Sequence, residues 1–182
     1  MMAGRSAMVR WCAAPALALM ALLSGGCATL PSDFTPLPTA QAPRFDALQF
    51  FAGRTEGRGE FSKVFSGRVP VRVISRGEIA ADGALTVLQQ VFEGQKPVRT
   101  RVWEMREVTP GRYEGTLSDA LGPITGEANG NRLTLRFAIK DGFKVKQVLT
   151  LSPDGARASN VLKVQRFGVT LAVLAEDIVR LE

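Results

Sequence analysis

From Gly53 to Glu182, apolar and polar residues alternate in short runs broken by turn residues at near-regular spacing. The breaks are Ser66-Gly67, Asp82-Gly83, Glu93-Gly94, Pro110-Gly111, Asn129-Gly130, Asp141-Gly142, Pro153-Asp154-Gly155 and Phe167-Gly168. Alternation with a period of two gives each strand one apolar face. Turn signals every 8 to 16 residues or so mark an antiparallel meander, sandwich or barrel. The pattern predicts nine or ten strands. No stretch after residue 54 holds a long helical period except Val169–Val179, which alternates equally well. Ahead of the strands, Phe45, Leu48 and Phe51 recur at three-residue spacing, a single helical turn closed by Gly53.

Two hairpins allow a register to be worked out. Arg132–Lys140 alternates strictly and is followed by Phe143–Leu149. A two-residue Asp141-Gly142 turn would set Phe137 opposite Lys146 and mix the faces. A three-residue loop, Lys140-Asp141-Gly142 with Gly142 left-handed, pairs Ile139 with Phe143 and Phe137 with Val145. In the hairpin around Pro110-Gly111, an odd-length loop sets Trp103 opposite Leu117 and Arg101 opposite Asp119. A tight two-residue Pro-Gly turn would reverse that parity. So many consecutive strands must hide their edges, and barrel closure does so. The expected fold is all-β: an antiparallel meander closed into a barrel of about 8–10 strands, with a short N-terminal helical turn. The helical turn leading into Phe51-Ala52-Gly53-Arg54 resembles the entry of lipocalin-like (calycin-type) barrels, although their usual Trp after the Gly is missing.

The first 26 residues follow another pattern. Arg5 and Arg10 form a positive start, and an apolar stretch runs from Trp11 to Leu23. That is shorter than the ~20 residues needed to cross a bilayer and has the anatomy of a secretory signal. Met8 serves equally well as the start. The stretch ends in Ser24-Gly25-Gly26-Cys27, which resembles the bacterial lipobox, with Ser24 where leucine is commonest. The resemblance implies that residues 1–26 are removed and that Cys27 is acylated. Ala28 rather than Asp follows the cysteine, which implies onward export to the outer membrane. Ordinary cleavage after Ala28 is the other reading. Residues 27–43 then carry Pro31, Pro36, Pro38 and Pro43, which exclude helix or central strand. As a polyproline-like tether this segment would reach roughly 50 Å; alternatively it packs along the domain through Phe34 and Leu37. The single barrel domain is expected over residues 44–182.

Composition narrows the chemistry. The chain has no His and two Cys among 182 residues, which removes imidazole-based triads, His-containing metal sites and disulfide frameworks. Cys12 lies in the leader, so the mature domain keeps only Cys27. Losing Arg5 and Arg10 lowers the formal net charge from +6 to +4. That charge is spread over many strands without a basic arm, so nucleic acid is not an expected partner. It suits a position near anionic lipid head groups. No metal or cofactor is expected. Glu104, Glu107 and Glu114 lie close in one hairpin, as a carboxylate hydrolase would need, but such charges on alternating strands are ordinarily a solvated face. Ser118-Asp119 lacks a base. The expectation is a binding protein rather than an enzyme, with no catalytic residue.

The binding candidates come from the inward faces. Tyr113, Leu117 and Asp119 share one face, and Arg99, Arg101, Trp103 and Met105 share another. In the odd-loop register Arg101 and Asp119 form a partly buried ion pair beside an aromatic wall, a counter-ion for a ligand carboxylate or phosphate. The other readings are a structural pair, or Arg99 and Arg101 turned outward. Phe92, Trp103, Phe137 and Phe143 are candidate apolar walls, with Tyr113 beside them.

Residues from about 50 to 181 also resemble a family of proteobacterial lipoproteins, the domain of unknown function family 3833. The resemblance rests on Phe50-Phe51-Ala52-Gly53…Gly57-Arg58-Gly59, Arg101-Val102-Trp103, Tyr113-Glu114-Gly115-Thr116…Asp119…Gly122, Gly126…Gly130-Asn131 and Asn160…Phe167-Gly168-Val169. It implies an envelope lipoprotein and little about activity. The combined expectation is an outer-membrane lipoprotein facing the periplasm, held by acyl chains on Cys27, that binds a small amphipathic or lipid-like ligand. The rival is a filled barrel that docks an envelope protein partner.

Overall fold

The computed structural model describes residues 27–64 and 66–181. The leader expected over residues 1–26 lies outside them. A five-residue helix α1 (Ala47–Phe51) is followed by β1 (Gly53–Lys63), β2 (Gly67–Ile79), β3 (Leu85–Glu93), β4 (Arg99–Thr109), β5 (Arg112–Leu117), β6 (Ala120–Asn129), β7 (Arg132–Ile139), β8 (Phe143–Leu151), β9 (Arg157–Arg166) and β10 (Val169–Leu181). Each strand pairs antiparallel with the next, and β1 pairs with β10, so the ten strands close into an up-and-down, lipocalin-like barrel. Closure leaves no edge exposed. The outward positions of β7 and β8 carry Arg132, Arg136, Lys144 and Lys146, all exposed, where a membrane-spanning strand would present an apolar band.

One end of the barrel is plugged. Asp46 caps α1 by accepting a hydrogen bond from the Gln49 amide at 3.0 Å. The short helix lays Phe45 and Phe50 into the barrel, their rings 5.3 Å apart. Behind them Leu85, Met105, Tyr113, Leu133, Leu149 and Ile178 form the buried core. Tyr113 is 2% exposed, and the Ala47 amide donates to its Oη at 3.4 Å. The helix sits so close to β2 that a Cβ at Gly77 would lie 1.9 Å from the Phe51 carbonyl oxygen. Glycine is what lets the plug seat.

Both predicted registers are present. Ile139 faces Phe143 and Phe137 faces Val145 across a 3-10 turn, Lys140–Gly142. The turn places Asp141 as well as Gly142 at positive φ, 64° and 73°. Trp103 faces Leu117, but by an unexpected route. Pro110-Gly111 is the two-residue turn that should reverse the parity, and a bulge between Glu107 and Thr109 restores it. Val108, the extra residue, is pushed out to 49% exposure.

Residues 27–43 do not extend away from the domain. They run as a strap along the outside of the barrel, from its open end to its plugged end. The Ala28 amide donates to the Thr170 carbonyl at 3.1 Å, at the start of β10. The Leu37 amide donates to Ser159 Oγ at 2.9 Å. At the plugged end Asn131, 3% exposed, accepts from the Ala40 amide and donates to the carbonyls of Pro38 and Leu151. Pro31 is buried, and Leu30, Phe34 and Leu37 are half-buried. The segment has no regular secondary structure and turns at Pro31–Phe34, where the Phe34 amide donates to the Pro31 carbonyl; its apolar side is worth more against the barrel than in water. The 50 Å spacer is therefore absent.

Candidate functional site

The plug fills the barrel only from one end. Above it lies a cavity of about 300 Å³ whose lining extends to exposed Lys96 and Arg99 at the open end. Its walls are mostly apolar, from Phe61, Val73, Val87, Leu135, Leu162 and Leu174 among others.

Polar side chains interrupt these walls in two groups. The first is held by β2, β3 and β4 with Asp119 from the turn between β5 and β6. Arg101 Nε donates to Asp119 Oδ1 at 3.0 Å, and the guanidinium lies over the Trp103 ring at 5.4 Å. The Trp103 ring stands edge-on to Phe137 with centroids 5.6 Å apart. Its Nε1 donates to Gln89 Oε1 at 2.7 Å, and Gln89 Nε2 donates to Ser75 Oγ at 3.2 Å. Burial works against the Arg101 charge while Asp119 supports it, and the net effect is a lowered pKa. A guanidinium starts so high that it stays cationic at every physiological pH. Nε is committed to Asp119. Among the described residues, neither Nη nitrogen of Arg101 hydrogen-bonds to protein.

The second group is on β8, β9 and β10. Asn160 and Glu176 face each other in the pairing of β9 and β10, and Asn160 Nδ2 donates to Glu176 Oε2 at 2.9 Å. Glu176 is 3% exposed, and burial pushes its carboxyl up to about 7 against the lowering pulls of Asn160 and Arg101. Gly57 makes the space: a Cβ there would lie 1.9 Å from Glu176 Oε1. Three oxygens in this wall, Gln147 Oε1, Asn160 Oδ1 and Glu176 Oε1, are buried without a hydrogen-bond partner. Each orphan acceptor costs about 1–3 kcal/mol until a donor satisfies it.

At the mouth, Glu93 receives ion pairs from Lys63 and, at 2.7 Å, from Lys96. Burial acts against its charge, but these two hydrogen bonds outweigh it and hold the carboxyl below its usual range.

Of the residues expected to bind, Arg101, Trp103, Asp119 and Phe137 line the cavity together. Three do not. Tyr113 belongs to the plugged core, under α1. Phe92 points outward against the Arg72 guanidinium, because Val91 and Glu93 hold the inward parity of β3. Phe143 has inward parity but sits at the rim, stacked under Arg166 at 5.4 Å. The sequence reading missed Glu176, Asn160 and Gln147 as a group. The available signal was Glu176 sharing one face with Leu174 and Ile178. Glu104 and Glu114 are exposed on the outside, while Glu107, opposite Tyr113 at the plugged end, accepts from the Arg44 guanidinium and the Gly111 amide. Among the described residues no cluster of His, Cys, Asp and Glu has the makings of a metal site.

The barrel has relatives. The profile of DUF3833, a protein family of unknown function, matches residues 21–178. No curated protein matches. Among solved structures, the crystal structure of a protein of unknown function from the DUF3598 family of Nostoc punctiforme is similar at 8% identity and a TM-score of 0.53. The match covers 78% of this chain and 51% of that one, so the chain spans about half the length of that relative. At such identity the likeness speaks for the fold alone.

Proposed function

We propose that this chain, which belongs to the DUF3833 family, is an envelope lipoprotein whose barrel binds a small amphipathic ligand. In this reading Cys27 carries the acyl chains, the anchor is in the outer membrane, and the barrel faces the periplasm. The observation that carries the ligand is the cavity of about 300 Å³ with its two polar groups. That volume is at the lower end of the range for small-molecule sites. The apolar walls take a hydrocarbon or ring body. The free Nη groups of Arg101 suit an anionic or carbonyl oxygen, and the orphan oxygens of Gln147, Asn160 and Glu176 suit hydroxyl or amine donors. A ligand with a short apolar body and a head bearing both kinds of group satisfies all of them. In this reading the chemistry of the cavity is binding rather than turnover.

Trp103 reports on the test, being the only Trp after residue 26. An environment-sensitive anionic amphipath titrated into the protein should accept energy from Trp103 and saturate near one per chain. Arg101→Gln should weaken this binding roughly tenfold, the loss of one charge-assisted contact. Absence of saturable transfer, or equal affinity in the variant, would count against the reading.

A further inference from the structure

We infer that the open rim of the barrel is a membrane-docking face that lies flat on an anionic phospholipid surface, so that the cavity opens directly onto lipid. The first observation is the turn between β9 and β10. Arg166 and Val169 pair across Phe167-Gly168, and Phe167 adopts φ 50°. A bulky residue in the left-handed region is strained, and a buried ring would repay that strain through packing. Phe167 is instead 91% exposed, with the Arg166 guanidinium over its ring, Cζ 5.1 Å from the ring centre. Val98 and Val169, also at this end, are 51% and 46% exposed.

The second observation is charge. Around the same rim stand Lys96, Arg99, Lys140, Lys144 and Arg166, all exposed. Against them are Asp141, Asp119, which is paired with Arg101, Asp33, which lies 3.9 Å from Arg68, and Glu93, which Lys63 and Lys96 share, so cations remain in excess. Aromatic and aliphatic tips set among cations match an anionic lipid head-group layer over an acyl region.

The third observation is where the strap starts. Cys27 lies at this rim beside Ser62, Lys63, Val64, Gly67 and Arg68, and the next residue is hydrogen-bonded to Thr170. Because residues 28–43 lie along the barrel, they provide no spacer. Acyl chains on Cys27 would enter the bilayer next to Phe167 and pull the mouth onto it. Only this third point depends on the anchor proposed above; the exposed ring and the charges stand without it.

The test removes the anchor. The chain from residue 27 onward with Cys27→Ser retains the strap, the plug and all ten strands. It is sedimented with vesicles of phosphatidylethanolamine and phosphatidylglycerol, and separately with phosphatidylcholine alone. Binding is expected to the anionic vesicles, weakening as salt rises. Phe167→Ser should reduce it roughly tenfold and Arg166→Glu several-fold. Leu88→Ser, at an exposed position midway along β3, should leave it unchanged. No binding to anionic vesicles, binding insensitive to Phe167, or an equal effect of Leu88→Ser would overturn the docking face, as would retention by an envelope protein in the absence of lipid. The mass of the Cys27 peptide decides the anchor separately.

Discussion

Glu176 is the most exacting point at which to perturb the interior. Its folded-state pKa of about 7 lies above the ordinary value of 4.5. The native state therefore holds the proton more tightly than the unfolded chain. The stability it contributes is fully present below about pH 4.5 and is lost as pH rises through 7. Above that, the native state carries a buried carboxylate at a cost of about 3 kcal/mol, at 1.36 kcal/mol for each pH unit between 4.5 and about 7. Glu176→Gln keeps the shape over Gly57 and the acceptor for Asn160 Nδ2 while removing the titration. The variant should gain about 2–3 kcal/mol over wild type at pH 8 and less than about 1 kcal/mol at pH 5. Urea unfolding followed by Trp103 fluorescence at both pH values measures this. The denaturant slope should stay constant, so that the midpoint alone shifts. A gain equal at the two pH values would mean altered packing rather than charge burial. A loss at pH 8 would mean that ionised Glu176 is stabilised by a partner, and would refute the reasoning.

Gly57→Ala should destabilise by about 1–3 kcal/mol, because its methyl group overlaps Glu176. Combining it with Glu176→Ala should cost less than the sum of the two single changes, measurable in a double-mutant cycle by urea denaturation. Asn131→Ala removes two side-chain hydrogen bonds that pin the strap and a third that ties Asn131 to the Leu151 carbonyl of β8. It should cost about 2–3 kcal/mol and expose residues 28–43 to limited proteolysis before the barrel opens. Replacing Gly77 by Ala forces the Phe51 carbonyl away from β2, so the melting temperature should fall as the plug loosens; an unchanged value would show that α1 is not seated as described.

The barrel was legible because alternation has a period of exactly two residues per face, and turn glycines reset it at known points; hence the pairing of Phe137 with Val145. The route around Pro110-Gly111 was not legible, because a bulge leaves no mark in the alternation beyond one extra residue, Val108. The strap misled for a related reason. Prolines specify an extended backbone, but whether it lies in water or on protein depends on a surface assembled from β9, β10 and β1. Arg101, Trp103 and Asp119 were found because they lie on β4 and just past the end of β5, two neighbours whose register was solvable. Glu176 and Gln147 meet them across a closed barrel, a relation that depends on strand count and stagger rather than on any local pattern. Phe92 was picked for its aromatic ring, whereas the parity set by Val87, Gln89 and Val91 already assigned it outward.

Native mass spectrometry with organic extraction, applied to the protein isolated from envelope membranes, examines the occupied cavity, because a bound ligand leaves the chain on extraction while acyl chains on Cys27 stay attached. A single small amphipathic species should accompany the wild-type interior at near one per chain. It should disappear in Leu162→Trp, which fills the cavity, provided circular dichroism shows that the barrel still folds. An interior that comes away empty from its native membrane, or a species retained equally by the filled barrel, would contradict a ligand-binding barrel.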